Sequence, residues 1–313
     1  MQPADEDRAI RTAAFEHVRN LSQRYGSLPW SVIAEGFAYR GQSVHLATRA
    51  AGIFKPRQMD RVLSIRTSHP RQGRARWYDD QAQVHAQIYA GEESIAYAFQ
   101  GSDPDSHDNR LLRAAHEEQL PLIYFLATAP GLYQAVAPVF VANWRSRDLR
   151  VDLVIGDALD DRLGRGLFES PQDSAERRYA MRLVKQRLHQ AQFREAVLGA
   201  YGGRCAVSGL PEGRLLDAAH IVEDRHERFG QPVVPNGLPL SKLHHGAFDA
   251  HLIGIDPDYR IHVSGALMRQ QDGPILQALK DLDRQTLHLP PDPRDRPDRD
   301  RLAARFEAFK TAA

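Results

Sequence analysis

Hydrophobic residues at helical spacing open the chain. Between residues 6 and 25 they recur every three or four positions, which predicts an amphipathic helix that ends at Gly26. From 30 to 155 the pattern changes to short apolar or alternating runs, among them VHLA, RVLSIRT, PLIYFLAT, APVFVAN and LRVDLVIG. Gly, Pro and Asp separate these runs, which predicts a mainly β domain with one or two helices, the best candidate being the stretch DNRLLRAAHEEQ.

A helical period returns between residues 172 and 201 and ends at Gly202 and Gly203. The stretch before it is polar and rich in turn residues, so we place a domain boundary near 160–175. Close to the C-terminus, PPDPRDRPDRDR predicts an extended linker, followed by a short helix that reaches Phe309.

The pattern as a whole predicts an α+β protein of four segments. They are an N-terminal helix, a β-rich domain, a connecting helix with a second domain, and a tail rich in Pro, Asp and Arg, at residues 1–29, 30–165, 172–290 and 291–313. A chain of 313 residues with 42% hydrophobic and 26% charged residues is long enough and apolar enough for two folded domains.

Charge and cysteine content narrow the class of protein. Lys and Arg number 41 against 40 Asp and Glu, so only local clusters of charge can indicate a nucleic-acid partner. The single cysteine, Cys205, excludes a disulfide framework and a four-cysteine zinc site within one chain, and it is typical of a reducing compartment. Neither a signal peptide nor a membrane-length apolar stretch is evident, so we expect a cytoplasmic protein.

Three short segments between residues 215 and 252 carry the strongest chemical signal. LLDAAHIV predicts a strand with His220, PNGLPLS predicts a loop and strand with Asn236, and KLHHGAFDAHL predicts the start of a helix with His245. Strand, loop, strand and helix form a ββα layout. Such a scaffold can hold a metal ion beside a general base.

Hydrolysis of a phosphodiester explains these residue types. The reaction needs a base that deprotonates water and a cation that absorbs charge at the scissile phosphate. His220 is suited to the first task, because an imidazole titrates near neutral pH. His245 and Asn236 supply a nitrogen and an oxygen that either bind one cation or orient the base. Such a set accepts Mg²⁺, Mn²⁺, Ni²⁺ or Zn²⁺.

With a CxxxG lead-in from Cys205 to Gly209, the AAHI strand and the HHxxFD helix, this region resembles the His-Asn-His (HNH), or ββα-metal, endonucleases. The resemblance runs from Tyr201 to Asp256. It implies that His220 is the general base, Asn236 the loop asparagine, and His245 the helix histidine beside the metal.

The chain departs from this family at two places. Many relatives have a metal ligand directly before the base, where this chain has Ala219. Asp217 shares the strand face of Ala219 and is our candidate for the missing ligand, with a cap or turn role as the alternative. Zinc-stapled relatives carry two CxxC pairs, and a structural zinc is not expected here because the corresponding residues are Cys205, Ser208, Ser241 and His244.

Asp249 follows His245 by one helical turn and could face the metal. We favour a structural hydrogen bond for it, and a structural role for His244.

A basic segment in the β-rich domain is the candidate DNA contact. Residues 55–76 contain seven Lys or Arg against one Asp, and our candidate phosphate contacts are Lys55, Arg57, Arg71, Arg74 and Arg76. The alternative is a solvated loop. The next residues, Trp77, Tyr78 and Asp79, offer rings and a carboxylate suited to a pocket for an extruded base, although the aromatic residues could equally belong to a core.

The whole arrangement resembles bacterial modification-dependent restriction endonucleases, in which a β-barrel reader of the SRA or PUA type precedes an HNH nuclease. GIFKPRQMDRVLSIRT and APGLYQAVAPVFV carry the N-terminal part of the resemblance. It implies binding of double-stranded DNA at 5-methylcytosine or a related base, and a nucleoid location when bound. Because one module cuts one strand, double-strand cleavage requires a dimer or two binding events, and we expect a homodimer. A nuclease for unmodified, damaged or branched DNA, and a regulator with a decayed nuclease, remain alternatives; Ala219 favours the regulator.

Overall fold

The computed structural model describes residues 3–67, 92–156, 170–171, 173–223, 231–271 and 273–312. The chain divides into two compact units, unit 1 from Met1 to Ala191 and unit 2 from Gln192 to Ala313. The division falls within a long helix, α4, which spans Ser174–Ala200 and matches the connecting helix predicted from the sequence.

Unit 1 combines helices with short strands. Its helices, besides the first part of α4, are α1 (Pro3–Tyr25), α2 (Trp30–Glu35) and α3 (His107–Glu117). Its strands are β1 (Leu28–Pro29), β2 (Phe37–Tyr39), β3 (Gln42–Val44), β4 (Ile53–Phe54), β5 (Ser64–Arg66), β6 (Ile95–Ala98), β7 (Leu122–Ala129), β8 (Leu132–Arg145) and β9 (Arg150–Ile155).

Seven of these strands form one sheet in the order β4-β5-β7-β8-β9-β6, with β1 paired to β8, while β2 and β3 form a separate hairpin. Alternate residues of β7 point to opposite faces. Leu122, Tyr124 and Leu126 join the core that includes α3 and α4, whereas the intervening residues join the core that includes α1. Burial on both faces explains why the run PLIYFLAT is continuously apolar.

The mixed α and β composition is confirmed, and α1 and α3 lie where the helical periods predict them. In the part of the chain that the structure describes, the strand order runs from β4 to β6 without closing. The SRA- or PUA-like barrel therefore stays a prediction. No helix in these described parts is both long and apolar enough to cross a membrane.

Unit 2 is built around the β10–β11 hairpin and has its own core. Its strands are β10 (Leu216–His220), β11 (Gly237–Ser241), β12 (Ile253–Ile255) and β13 (Ile261–Val263). Beyond the last residues of α4, its helices are α5 (Lys242–Asp249), α6 (Gly265–Arg269), α7 (Pro274–Lys280) and α8 (Arg299–Ala312).

The C-terminal segment differs from the predicted extended linker. A short 3₁₀ turn covers Pro293–Asp295, and α8 begins at Arg299, where the Asp298 carboxylate accepts the N–H of Arg301. Phe309 is buried against Gly254, whose missing side chain makes room for its ring. The tail is therefore part of the unit 2 core, because its apolar side chains outweigh the local effect of its prolines.

Candidate active site

The ββα layout predicted from the sequence lies in unit 2. Strands β10 and β11 pair antiparallel, with Asp217 opposite Leu240 and His220 opposite Gly237. Helix α5 begins directly after β11, where the Ser241 hydroxyl accepts the N–H of His244 as an N-cap. This sharp turn from strand to helix brings the helix histidines back beside β10.

His245 lies between two carboxylates. Its Nδ1 is 3.4 Å from the Asp217 carboxylate of β10, and its Nε2 is 3.3 Å from the carboxylate of Asp249, one turn later on α5. The side chains of His245 and Asp217 are 28% and 40% exposed, so solvent or a ligand can reach them. The structure thus brings together a predicted ligand pair from two different elements.

Ala219 is 1% exposed and belongs to the unit 2 core. Its methyl group therefore helps to build the core at the position where relatives carry a ligand. The carboxylate nearest to His245 on β10 belongs to Asp217, two residues earlier on the strand.

His220 contacts a different element from Asp217. Its ring stacks on Phe193 of α4, with ring centroids 4.1 Å apart and planes 13° from parallel. A side chain on Gly237, its cross-strand neighbour, would overlap Phe193 and Val197, so glycine allows α4 to pack closely there. The stacking of Phe193 on His220 was not predicted, because the helical spacing of apolar residues identifies Phe193 only as a core residue.

Asn236 is fully buried, and its amide holds the loop that follows His220. Its Oδ1 accepts the N–H of Val222 at 3.0 Å, and its Nδ2 donates to the carbonyls of Val222 and Gln231 at 3.0 and 3.1 Å. The amide is thus directed at the backbone, whereas the carboxylate of Asp217 is directed at His245. This geometry is suited to positioning the chain around His220.

Arg305 of α8 is a neighbour of the site that sequence reasoning missed. Its guanidinium donates to the carbonyl of Phe248 at 2.9 Å, lies 4.7 Å from the centre of that ring, and is 3.7 Å from the Asp249 carboxylate. Burial lowers its pKa, while the charges of Asp249 and Glu223 oppose the shift. Arg305 thereby fixes the end of α5. In the sequence, the spacing of apolar residues in the tail was the one sign that α8 packs against the nuclease region.

A second polar cluster lies at the start of α5. Cys205 Sγ is 3.4 Å from His244 Nδ1 and accepts the N–H groups of Ser208 and Ser241, while the Ser241 hydroxyl is 2.9 Å from the same His244 nitrogen. Burial raises the pKa of the Cys205 thiol, but these hydrogen bonds outweigh burial and lower it to about 6. The four positions that hold CxxC pairs in zinc-stapled relatives are linked here by hydrogen bonds.

The DNA-contact candidates of unit 1 are described only in part. The Lys55 ammonium donates to the carbonyl of Met59 at 2.7 Å, and Arg57 is exposed. The remaining candidates lie outside the described residues: Arg71, Arg74, Arg76, Trp77, Tyr78 and Asp79.

Among the described residues, no group of three or more His, Cys, Asp or Glu side chains is arranged to hold a metal ion. The Asp217–His245 pair nevertheless presents one oxygen and one nitrogen donor side by side on an accessible surface. Divalent ions that act on phosphates often take one or two protein ligands and complete their shell with water and phosphate oxygens. The pair fits such an ion.

Comparison with known proteins identifies the same region. Residues 205–256 match the family model described as HNH endonuclease. A solved structure titled "Modification dependent TagI restriction endonuclease" is similar at a TM-score of 0.32 and 18% identity, over 79% of this chain and 81% of that chain. No curated protein matches. The chain therefore carries an HNH endonuclease domain at residues 205–256, which confirms the prediction of a DNA-hydrolysing enzyme.

Proposed function

We propose that this protein is a metal-dependent DNA endonuclease in which unit 1 selects the site and unit 2 hydrolyses the backbone. The observation that carries the proposal is the Asp217–His245 pair, which sits beside the HNH strand within the matched region. HNH nucleases generally use a divalent metal ion, so a pair of N and O donors at this place is the expected kind of site.

In the proposed reaction His220 accepts a proton from the attacking water. Stacking on Phe193 restrains the plane of the His220 imidazole. The side-chain amide of Asn236 holds the loop that follows His220 along the chain. Asn236 is in this account a positioning residue. Asp217 and His245 would hold the cation, and a divalent ion bound there would neutralise charge that develops on the scissile phosphate.

Asp249 has a different role in this proposal. The Arg305 guanidinium lies 3.7 Å from the Asp249 carboxylate, so the charge of Asp249 is partly compensated within the protein. Arg305 also donates a hydrogen bond to the carbonyl of the preceding residue, Phe248. In the part of the chain that the structure describes, the cationic neighbour of Asp217 is His245 alone. We therefore assign metal binding to Asp217 and orientation of His245 to Asp249.

The finer part of the proposal is that cleavage depends on a modified base of the 5-methylcytosine type. Its support is the resemblance of the N-terminal segments to such readers, together with the presence of a separate folded unit in the same chain. A ββα module alone has little surface with which to choose a sequence. A second unit of this size supplies one.

Digestion of matched plasmids, with and without cytosine methylation, tests both parts across Mg²⁺, Mn²⁺, Ni²⁺ and Zn²⁺. We expect cleavage of the methylated plasmid in at least one metal. Equal cutting of both plasmids would remove the modification dependence and leave a nuclease for unmodified DNA. If neither plasmid is nicked in any metal, the protein is instead a DNA-binding regulator. This is the alternative favoured by Ala219, which stands where many relatives have a metal ligand.

A further inference from the structure

Two arginines of the C-terminal helix contact the two segments that carry the candidate active site. Arg305 follows Arg301 by one helical turn, so both lie on the same face of α8. Arg301 donates to the side-chain oxygen of Gln231 at 2.8 Å, and Arg305 donates to the carbonyl of Phe248 at 2.9 Å. Their side chains are only 13% and 15% exposed. We call Arg301 and Arg305 the α8 clamp.

The Arg301 end of the clamp is connected to the loop that follows His220. The backbone carbonyl of Gln231 accepts the side-chain amide of Asn236 at 3.1 Å. The same amide group accepts the N–H of Val222 and donates to its carbonyl, both at 3.0 Å. Arg301 is thus linked through Gln231 and Asn236 to the chain just beyond the proposed base.

The Arg305 end of the clamp is connected to the histidine of the proposed metal pair. Its guanidinium holds the Phe248 carbonyl and lies 3.7 Å from Oδ1 of Asp249. The other carboxylate oxygen, Oδ2, is 3.3 Å from Nε2 of His245. Arg305 therefore acts on the orientation of His245 through the carboxylate that lies between them.

The helix that carries the clamp is itself fixed in unit 2. Leu302 is fully buried in its core, and the N–H of Asp298 donates to the carbonyl of Pro235 at 2.9 Å. A second nitrogen of Arg301 lies 3.9 Å from the Asp298 carboxylate. Two guanidinium groups on one anchored helix therefore set the spacing between the two segments. This helix lies outside residues 205–256, which match the HNH model.

We infer that the α8 clamp consists of positioning residues for hydrolysis, which hold His220 at a fixed distance from the Asp217–His245 pair. In the proposed reaction the base activates water while the pair holds the cation at the same phosphate, so both must keep one relative placement. A misplacement of about 1 Å in such a site can slow a reaction about 100-fold. The inference rests on the proposed function and adds residues beyond the HNH motif.

Plasmid nicking at saturating metal tests the Arg301 end. Gln231→Ala removes the acceptor of Arg301 but keeps the backbone carbonyl that Asn236 uses, and Gln231 is exposed, so this variant should fold. We expect kcat to fall about tenfold while KM for DNA stays within about twofold of wild type. Adding Gln231→Ala to Arg301→Ala should slow cleavage no further, because both changes break the same contact.

The matched control for these variants is Lys310→Ala. It also removes a cation from α8, but Lys310 pairs with Glu307 of the same helix. The control should keep the wild-type kcat. A wild-type kcat in Gln231→Ala, or an effect on KM alone, overturns the inference.

Arg305→Lys tests the other end of the clamp. Lysine keeps the positive charge but lacks the planar group with several donors that lets Arg305 hold a carbonyl and face a carboxylate at once. We expect kcat to fall about tenfold, again with little change in KM. A lysine variant with the wild-type kcat would show that charge alone suffices, and would overturn positioning by Arg305.

Hydrogen exchange in the metal-free protein tests the clamp without cleavage. Peptides that contain residues 220–223 should exchange at least about fivefold faster in Arg301→Ala, and those with residues 246–252 in Arg305→Lys, while other peptides stay as in wild type. Unchanged exchange in these peptides overturns the inference. Nicking by the wild type is measured separately, and its absence would contradict the nuclease proposal while exchange still tests the clamp.

Discussion

At the scale of single residues, the central feature is an imidazole between two carboxylates. Asp217 and Asp249 approach opposite nitrogens of His245, at 3.4 and 3.3 Å, yet only Asp249 also faces Arg305. The two carboxylates therefore differ in environment although they share a neighbour. Their separate removal distinguishes a ligand from an orienting group.

We predict that Asp217→Asn raises the Mn²⁺ concentration needed for half-maximal nicking by at least about tenfold, the loss that outer-shell changes alone can cause. Asp249→Asn should cause a smaller shift, because its carboxylate is already compensated by Arg305. Nicking rates across a metal titration measure both. A larger shift for Asp249→Asn would reverse the two assignments.

The Cys205 thiol gives a pH prediction. Its pKa is lowered from 9.0 to about 6 in the folded protein, so the unfolded chain binds more protons between these values. Folding stability from this group is therefore complete above pH 9 and is lost as the pH falls towards 6. Urea unfolding under reducing conditions should show this gain with rising pH.

The variant Cys205→Ala supplies the control for that measurement. It removes the thiol, the acceptor of two backbone N–H groups and the contact with His244, which should cost about 1–3 kcal/mol at alkaline pH. The difference from wild type should shrink as the pH approaches 6. A difference that stays constant over this range would show that the buried thiol does not titrate as described.

The sequence predicted some residues of the candidate site and missed others. His220, Asn236 and His245 could be proposed from the sequence because a short motif holds them in order. Phe193 and Arg305 could not, because they reach the site from helices that the chain forms far from the motif. The hydrogen bonds of Asn236 were equally hidden, since a residue type does not reveal which partners burial will provide.

At the scale of elements, the packing of α4 on β11 holds His220. Gly237 lies opposite His220, and a β-carbon there would overlap Val197 and Phe193. The glycine is thus required by a close approach between a helix and a strand. The motif PNGLPLS contains it, but only the structure explains it.

We predict that Gly237→Ala lowers the free energy of unfolding by about 1–3 kcal/mol through overpacking, and that it slows cleavage by displacing Phe193 from His220. Chemical denaturation and plasmid nicking measure the two effects. Gly246→Ala is the matched control, because a β-carbon on that glycine meets no atom within 4 Å. If Gly237→Ala is as stable and active as this control, α4 does not position the base.

The elements themselves could be predicted where a period was long and regular. The helical periods identified α1, α3 and α4, and the apolar runs identified β7 to β9. The short helix that reaches Phe309 was predicted, but the extended linker before it contains a 3₁₀ turn, and α8 already begins at Arg299. Leu302 and Phe309 of α8 are buried. Local propensity there is overridden by burial of apolar side chains.

At the scale of the whole molecule, the chain forms two compact units with separate cores, to which the proposed function assigns recognition and hydrolysis. The sequence indicated this division through a change of hydrophobic period, but the helix that links the units continues across their boundary at Ala191. A contact boundary inside a helix cannot be seen in a hydrophobic pattern, because the period does not change there.

One nuclease module hydrolyses one strand, so we predict that nicked plasmid accumulates before linear plasmid. The second cut should depend more steeply on protein concentration than the first, because it needs another copy of the chain. Time courses at several protein concentrations measure this. A second cut whose rate is merely proportional to protein concentration would show that no further copy of the chain is needed for it.

The most direct measurement compares His220→Ala with wild type in nicking of supercoiled plasmid, at the metal that best supports cleavage, with duplex binding measured in parallel. The account predicts that the variant binds DNA with nearly wild-type affinity and does not nick it. A variant that nicks at the wild-type rate would show that the imidazole stacked on Phe193 is not the general base.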